Sequence, residues 1–208
     1  MNQFNNLANS QEFYSNMAKR RSVRSFEKTT IDNEILINAI KAAGTAPSGA
    51  NTQPWFFALV TNQELKNKIR QAAEEVERKF YTQESTKKWV DDLKPFGTNE
   101  TKAYLSEAAA LIVVFSKNFN EVENGELKRT YYPLESCGIA VGLLLTSLHN
   151  AGVSTLTHTP RPLNFLNILL GLNNTYKPFM IIVAGKSKFP LVLPDIVRKN
   201  IDEIMKVF

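Results

Sequence analysis

Cysteine occurs once in this 208-residue chain, at Cys137. No intrachain disulfide can form, which points to a reducing compartment. Histidine occurs twice, at His149 and His158, and no Cys/His cluster surrounds either, so nothing suggests a zinc site. The longest apolar run near a helix, Gly138 to Leu145, falls far short of the roughly 20 residues a membrane span needs. Met1 to Asn9 is polar and lacks the apolar core of a signal peptide. These absences predict a soluble, cytoplasmic protein without a membrane anchor. There is no Gly-x-Ser-x-Gly elbow, no glycine-rich phosphate loop and no dinucleotide fingerprint, so a nicotinamide has no resident site. Charge of one sign is not concentrated either. The net charge is +5, but acids and bases alternate, as from Glu74 to Lys79, and no basic stripe marks a nucleic-acid surface. Linkers and internal repeats are also missing.

What is present fits one globular domain spanning residues 1–208, with 43% hydrophobic and 22% charged residues. Ser10 is placed to cap a helix running to about Arg20. Asp32 caps a second, whose apolar stripe is Ile35, Leu36, Ala39, Ile40 and Ala43, with Gly44 as its stop. Trp55 to Val60 has strand length. Asn62 caps a third helix bearing Leu65, Ile69, Ala73, Val76 and Phe80 at helical spacing. Thr82 to Thr101 is polar and broken by Pro95 and Gly97. Ala110 to Phe115 is unbroken by polar residues, as in a strand covered on both faces. Asn118 to Lys128 reads as a charged loop. Glu135 to Asn150 is a helix apolar nearly all round, hence central, and Gly152 ends it. Val153 to Thr159 is a weakly alternating strand, Leu163 to Leu170 a short helix and Phe179 to Ala184 a final strand. Four short strands scattered among about six helices predict an α+β fold, a small mixed sheet covered by helices. The tail from Pro190 to Phe208 is long and spotted with apolar residues, which suits a dimer that exchanges it.

Three constellations carry candidate chemistry. Arg20, Arg21, Ser22 and Arg24 crowd three guanidiniums and a hydroxyl into five residues. Arginine's planar fork matches a phosphate, although a solvated helix end would look the same. The loop Ala46-Pro47-Ser48-Gly49-Ala50-Asn51-Thr52-Gln53-Pro54-Trp55 has small residues that let backbone approach a flat ligand, or it is a polar turn between helix and strand. Gly152 to Pro160 ends a strand in Thr155, Thr157, His158 and Thr159, whose hydroxyls either meet a ring edge or reflect the β-propensity of threonine.

Taken together, the Arg-Arg-Ser-Val-Arg run, the Ala-Pro-Ser-Gly-Ala loop about two dozen residues later, and the Asn-Ala-Gly leading into a Thr-rich strand resemble the nitroreductase family. The resemblance runs from about Arg20 to the C-terminus. It implies an FMN-dependent α+β fold forming intertwined homodimers with flavin sites between the subunits. Within the family, the Ala-Pro-Ser-Gly-Ala-x-Thr-x-Pro-Trp loop and the Trp89 to Lys94 segment resemble the iodotyrosine deiodinase branch. The resemblance implies that Arg20, Arg21, Ser22 and Arg24, with Arg198 from the tail, hold the phosphate and flavin. Pro47 and Ser48 would line the isoalloxazine from the other subunit. Thr157, His158 and Thr159 would follow the ring edge, with Thr159 in a catalytic role beside the flavin N5. Ala50 would offer its backbone N–H to the substrate phenolate. Glu77, Tyr81 and Lys102, on a mobile lid near residues 77–102, would hold the zwitterion of an amino-acid substrate. Glu77 and Tyr81 are four apart and so share one helix face. The chain departs from that branch at Asn51 and Gln53, in place of His and Glu, and at His158, in place of Thr.

Three functions follow from these residues. One is reductive dehalogenation of halotyrosines, with electrons from NAD(P)H or a reductase. The second is a general nitroreductase or quinone reductase acting on flat aromatics. The third is a flavin-binding protein without turnover.

Overall fold

The computed structural model describes residues 5–122 and 125–208, so the very start of the polar N-terminal segment lies outside it. Helix α1 (Leu7–Ala18) begins earlier than its sequence suggests, because Asn6 rather than Ser10 caps it. The Asn6 side chain accepts the Asn9 N–H at 3.0 Å. The helix ends before Arg20, whose N–H still donates to Met17 O at 3.1 Å. Asp32 caps α2 (Asn33–Gly44) as expected. Leu36, Ala39 and Ala43 of its stripe are buried, but Ile35 is at the surface. Strand β1 (Trp55–Val60) follows, then α3 (Gln63–Thr82), whose cap Asn62 accepts the Leu65 N–H at 2.9 Å.

The stretch expected as a broken polar connection is mostly helical. A 3₁₀ turn at Glu84–Thr86 leads into α4 (Lys87–Leu93), and a second turn at Lys94–Phe96 ends on Gly97 in the left-handed region, φ 60°. An aromatic anchor holds it. The Phe80 ring meets Trp89 edge-on at 5.3 Å and Tyr81 at 5.4 Å. Three aromatics among many polar residues leave little periodicity to read.

Next come α5 (Tyr104–Glu107), β2 (Ala110–Lys117), β3 (Phe119–Glu121) and β4 (Leu127–Arg129). The last two form a hairpin where a charged loop was expected, with Phe119 opposite Arg129. Its residues are mostly exposed, so no alternation of apolar and polar side chains announced it. Residues 123–124 of that expected loop lie outside the described residues. The chain closes with α6 (Pro133–Asn150), β5 (Ser154–His158), α7 (Phe165–Leu170) and β6 (Tyr176–Gly185).

The main sheet has the order β1-β2-β6-β5 and all three of its ladders are antiparallel, not mixed. Among the described residues the one parallel pairing is an isolated bridge from Ser22 to Thr155. Helices cover both faces. Leu111, Val113 and Phe115 of β2 pack with Ile69 and Ala73 of α3, Leu105 of α5 and Leu166 of α7. Ala110, Ile112 and Val114 pack with Leu36 of α2 and Leu144 of α6. Two covered faces explain why β2 is apolar from Ala110 to Phe115, before Ser116 and Lys117 end it. Lys66, buried on α3, donates to Ala108 O at 2.6 Å and ties that helix to the turn before β2.

Helix α6 is central on one side only. Ala140, Val141, Leu144 and Leu148 are buried, while Leu134, Ile139 and Leu143 are exposed, Ile139 by 48%. The tail adds Val192, Val197, Ile204 and Phe208 to the exposed apolar surface. Among the described residues no helix is long and apolar enough to cross a membrane, and no His, Cys, Asp and Glu cluster could hold a metal ion.

Candidate functional site

Strand β5 is an edge strand, and the Arg20–Arg24 segment lies along its free side. Val23 N donates to Thr155 O at 3.0 Å beside the Ser22–Thr155 bridge. Val23 is buried, which pins the segment while leaving its polar neighbours partly exposed. The tail crosses the same place. Arg21 Nη2 donates to Pro194 O, and Arg198 donates to Ala18 O and Arg20 O, both at 2.8 Å. Arg20, Arg21 and Arg198 are thereby gathered. The Arg20 guanidinium is held below its ordinary pKa by partial burial first, then by the charges of Arg198 and Arg21. Among the described residues none of the three is in a salt bridge. A cluster of unneutralised cations beside a strand edge is chemically suited to a phosphate-bearing group.

Next to it lies a cavity of about 250 Å³ between α3, α4 and the end of β5, whose charged lining residues are Arg24, Glu77, Lys102 and Arg161. Tyr81, Trp89, Tyr104, Thr157, His158 and Thr159 also line it. The cavity therefore unites the expected lid trio with Arg24 and the Thr-rich strand end. Lys102 Nζ lies 3.1 Å from Glu77 Oε2, with the two side chains 3% and 12% exposed. It also bonds Thr98 Oγ1 at 3.2 Å and the Asn99 carbonyl, and stands 5.2 Å over the Tyr81 ring. Burial raises the Glu77 carboxyl above its ordinary pKa, and the single Lys102 cation only partly opposes this. The Tyr81 hydroxyl is buried with no partner in hydrogen-bond geometry; burial raises its pKa, and Thr98 beside it pulls the other way.

Thr157 and Thr159 are exposed on one side of the strand end. His158 differs. Strand alternation turns its side chain inward, 6% exposed, so only its backbone shares the edge with the two threonines. Its Nδ1 lies 3.2 Å from the Tyr104 hydroxyl and its Nε2 is buried without a partner. Burial, with a smaller push from Lys102, drops its pKa to about 3, so the ring is neutral when folded. The unfolded chain binds this proton at an ordinary imidazole pKa and the folded chain does not. Stability should therefore fall by about 1.4 kcal/mol for each pH unit below roughly 6.5. Melting curves from pH 7 to 5 should show the drop and His158→Gln should flatten it; an equally steep variant would show that other groups carry the acid sensitivity.

Pro47, Ser48 and Ala50 do not line this cavity. Their loop lies against Tyr131 and Tyr132, joined by a bridge from Gly49 to Tyr131. Sequence reasoning had not singled out Tyr104, Trp89 or Arg161 as lining residues. Only Trp89 gave a signal, within the Trp89–Lys94 segment. Cys137 is no nucleophile: it is buried and its thiol is pushed up to about 12 by desolvation.

This helix-covered antiparallel sheet, with its arginine cluster and adjoining aromatic cavity, belongs to the nitroreductase family, whose model matches residues 17–186. More particular likenesses point in one direction. The chain is 42% identical to an iodotyrosine deiodinase of Haliscomenobacter hydrossis, over 97% of this chain and 91% of that one. It is 43% identical to iodotyrosine deiodinase 1 of Rattus norvegicus, over 94% of this chain and 69% of the rat protein. In three dimensions it resembles the crystal structure of an oxidized iodotyrosine deiodinase bound to FMN and 3-iodo-L-tyrosine. There the TM-score is 0.75, with 31% identity over 90% of this chain and 98% of that one.

Proposed function

We propose that this protein is an FMN-dependent oxidoreductase that removes halogen reductively from halotyrosines. The observation that carries this reading is the buried Glu77–Lys102 pair beside Tyr81, within one cavity that reaches Thr159. One carboxylate and one ammonium fixed side by side are complementary to an amino-acid zwitterion. The substrate ammonium pairs with Glu77, supplying the second cation that the carboxylate's burial calls for. The substrate carboxylate meets Lys102 and the otherwise unpartnered Tyr81 hydroxyl. A general nitroreductase substrate would leave these groups without use.

The residues present fit FMN. Arg20, Arg21, Ser22, Arg24 and Arg198 would hold its phosphate and flavin, and Thr157 and Thr159 would follow the ring edge. When bound, FMN supplies the two electrons that reductive loss of halide requires. Thr159 would offer a hydrogen bond to the flavin N5. The segment from α3 through α4 acts as the lid, excluding water around the zwitterion pair and strengthening it. The Ala50 N–H would hold the phenol as phenolate; protonation of the halogen-bearing carbon by solvent and two electrons from the reduced flavin would balance loss of halide and recovery of the phenolate.

The site is completed by a second copy of the chain. The exposed face of α6 and the apolar tail would be covered in a homodimer that exchanges its tails, and Pro47 and Ser48 would reach the partner's flavin. Purified protein should be yellow, sediment as a dimer, and after dithionite reduction convert iodotyrosine to tyrosine and iodide. Protein that stays colourless after incubation with FMN sinks the reading. Protein that reduces nitroaromatics but yields no tyrosine is a general nitroreductase instead.

A further inference from the structure

The loop between α2 and β1 holds an unusual backbone. Ala50, Asn51 and Gln53 all have positive φ, at 49°, 54° and 45°. Residues with a Cβ rarely adopt this region and hold it only where their surroundings impose it. The imposing contacts are visible. Gly49 pairs with Tyr131 so closely that a Cβ there would stand 2.8 Å from Tyr131 Cβ and 2.9 Å from its carbonyl oxygen. Thr52 is the hub. Its hydroxyl donates to Gly49 O at 2.8 Å and accepts the Tyr131 N–H at 3.4 Å, while its carbonyl accepts from Asn120 Nδ2 of β3 at 2.5 Å. Asn51 N and Thr52 N turn inward to Ser48 O and Gly49 O. The exposed Ala50 N–H makes no hydrogen bond among the described residues. Its neighbours' donors are satisfied within the loop, while this exposed one faces solvent, where a ligand oxygen can replace water.

We infer that Gly49, Thr52 and Asn120 are positioning residues that force Ala50 and Asn51 into the left-handed conformation and so aim the Ala50 N–H at the substrate's phenolate oxygen. This makes the contact between the β3–β4 hairpin and the loop a determinant of selectivity for phenols. It rests on the halotyrosine reading above, but concerns the opposite end of the substrate from Glu77 and Lys102. The residue types agree with the geometry. Asn tolerates positive φ better than most residues, and Gly49 alone leaves room for Tyr131.

The test compares two probes on the flavin-loaded protein, 3-iodotyrosine and 3-iodophenylalanine, which share the zwitterion and ring but differ in the hydroxyl. Quenching of flavin fluorescence reads both. Thr52→Val should lower affinity for iodotyrosine about tenfold, the worth of one well-placed hydrogen bond. It should leave iodophenylalanine affinity and flavin content unchanged, and Thr52→Ser should restore the difference. The rise in iodotyrosine affinity as its phenol ionises should flatten in Thr52→Val as well. Asn120→Ala, a milder change outside the loop, should act in the same direction and serves where Thr52→Val does not hold flavin. Equal weakening of both probes would reduce these residues to a structural role and overturn the inference. So would an intact preference in both variants, or a wild-type protein that binds the two probes equally while Glu77 and Lys102 remain needed. A wild-type protein that binds neither probe overturns the halotyrosine reading itself.

Discussion

Lys102→Gln should lower kcat/KM for iodotyrosine by about 10- to 150-fold while leaving flavin bound. Two losses follow, the first on substrate binding and the second mainly on the free protein. The substrate carboxylate loses a charge-assisted hydrogen bond worth about 1.5–3 kcal/mol. Glu77 is left buried without its cation, and breaking a buried pair in this way costs about 3–5 kcal/mol. Part of the second loss falls on stability, since Lys102 is 3% exposed and also holds Thr98 and Asn99. The pH dependence has a definite sign. Glu77 is already raised above its ordinary pKa by burial, and without Lys102 it rises further. A folded state that keeps a proton the unfolded state has released becomes less stable as pH rises above the ordinary carboxyl range. Between about pH 6.5 and 8, above the range where His158 contributes, melting temperature in Lys102→Gln should therefore fall more steeply than in wild type. In that range the double variant with Glu77→Gln should be nearly flat and more stable than Lys102→Gln alone. A single variant with wild-type turnover would remove the zwitterion assignment.

Arg20→Ala should weaken FMN binding about 100-fold without destabilising the flavin-free protein, because one charge-assisted contact to phosphate is worth about 1.5–3 kcal/mol. In the flavin-free state Arg20 is partly buried against the like charges of Arg198 and Arg21, so its removal relieves repulsion. Arg198→Ala should behave differently. Its guanidinium bonds Ala18 O and Arg20 O, so its loss should lower both flavin affinity and the melting temperature without flavin. Flavin retained after dialysis, and melting curves with and without added FMN, separate the two. If Arg20→Ala lowers both melting temperatures equally, Arg20 supports the fold and not the cofactor.

The sequence by itself determined the parts written in local chemistry. Caps at Asp32 and Asn62, the unbroken apolar run of β2 and the i,i+4 placement of Glu77 and Tyr81 each depend on residues within a turn or two of one another. All four strands of the main sheet stand where propensity put them. What it could not determine depends on partners distant along the chain. The β3–β4 hairpin and α4 carry few buried apolar residues, so no period marks them. The inward turn of His158 onto Tyr104 reflects strand register against β6, and register is a property of the sheet. The left-handed backbone at Ala50, Asn51 and Gln53 is imposed by Tyr131 and Asn120, some seventy to eighty residues away along the chain. Strain and orphaned polar groups are relations between distant segments, and only the folded chain brings those segments together.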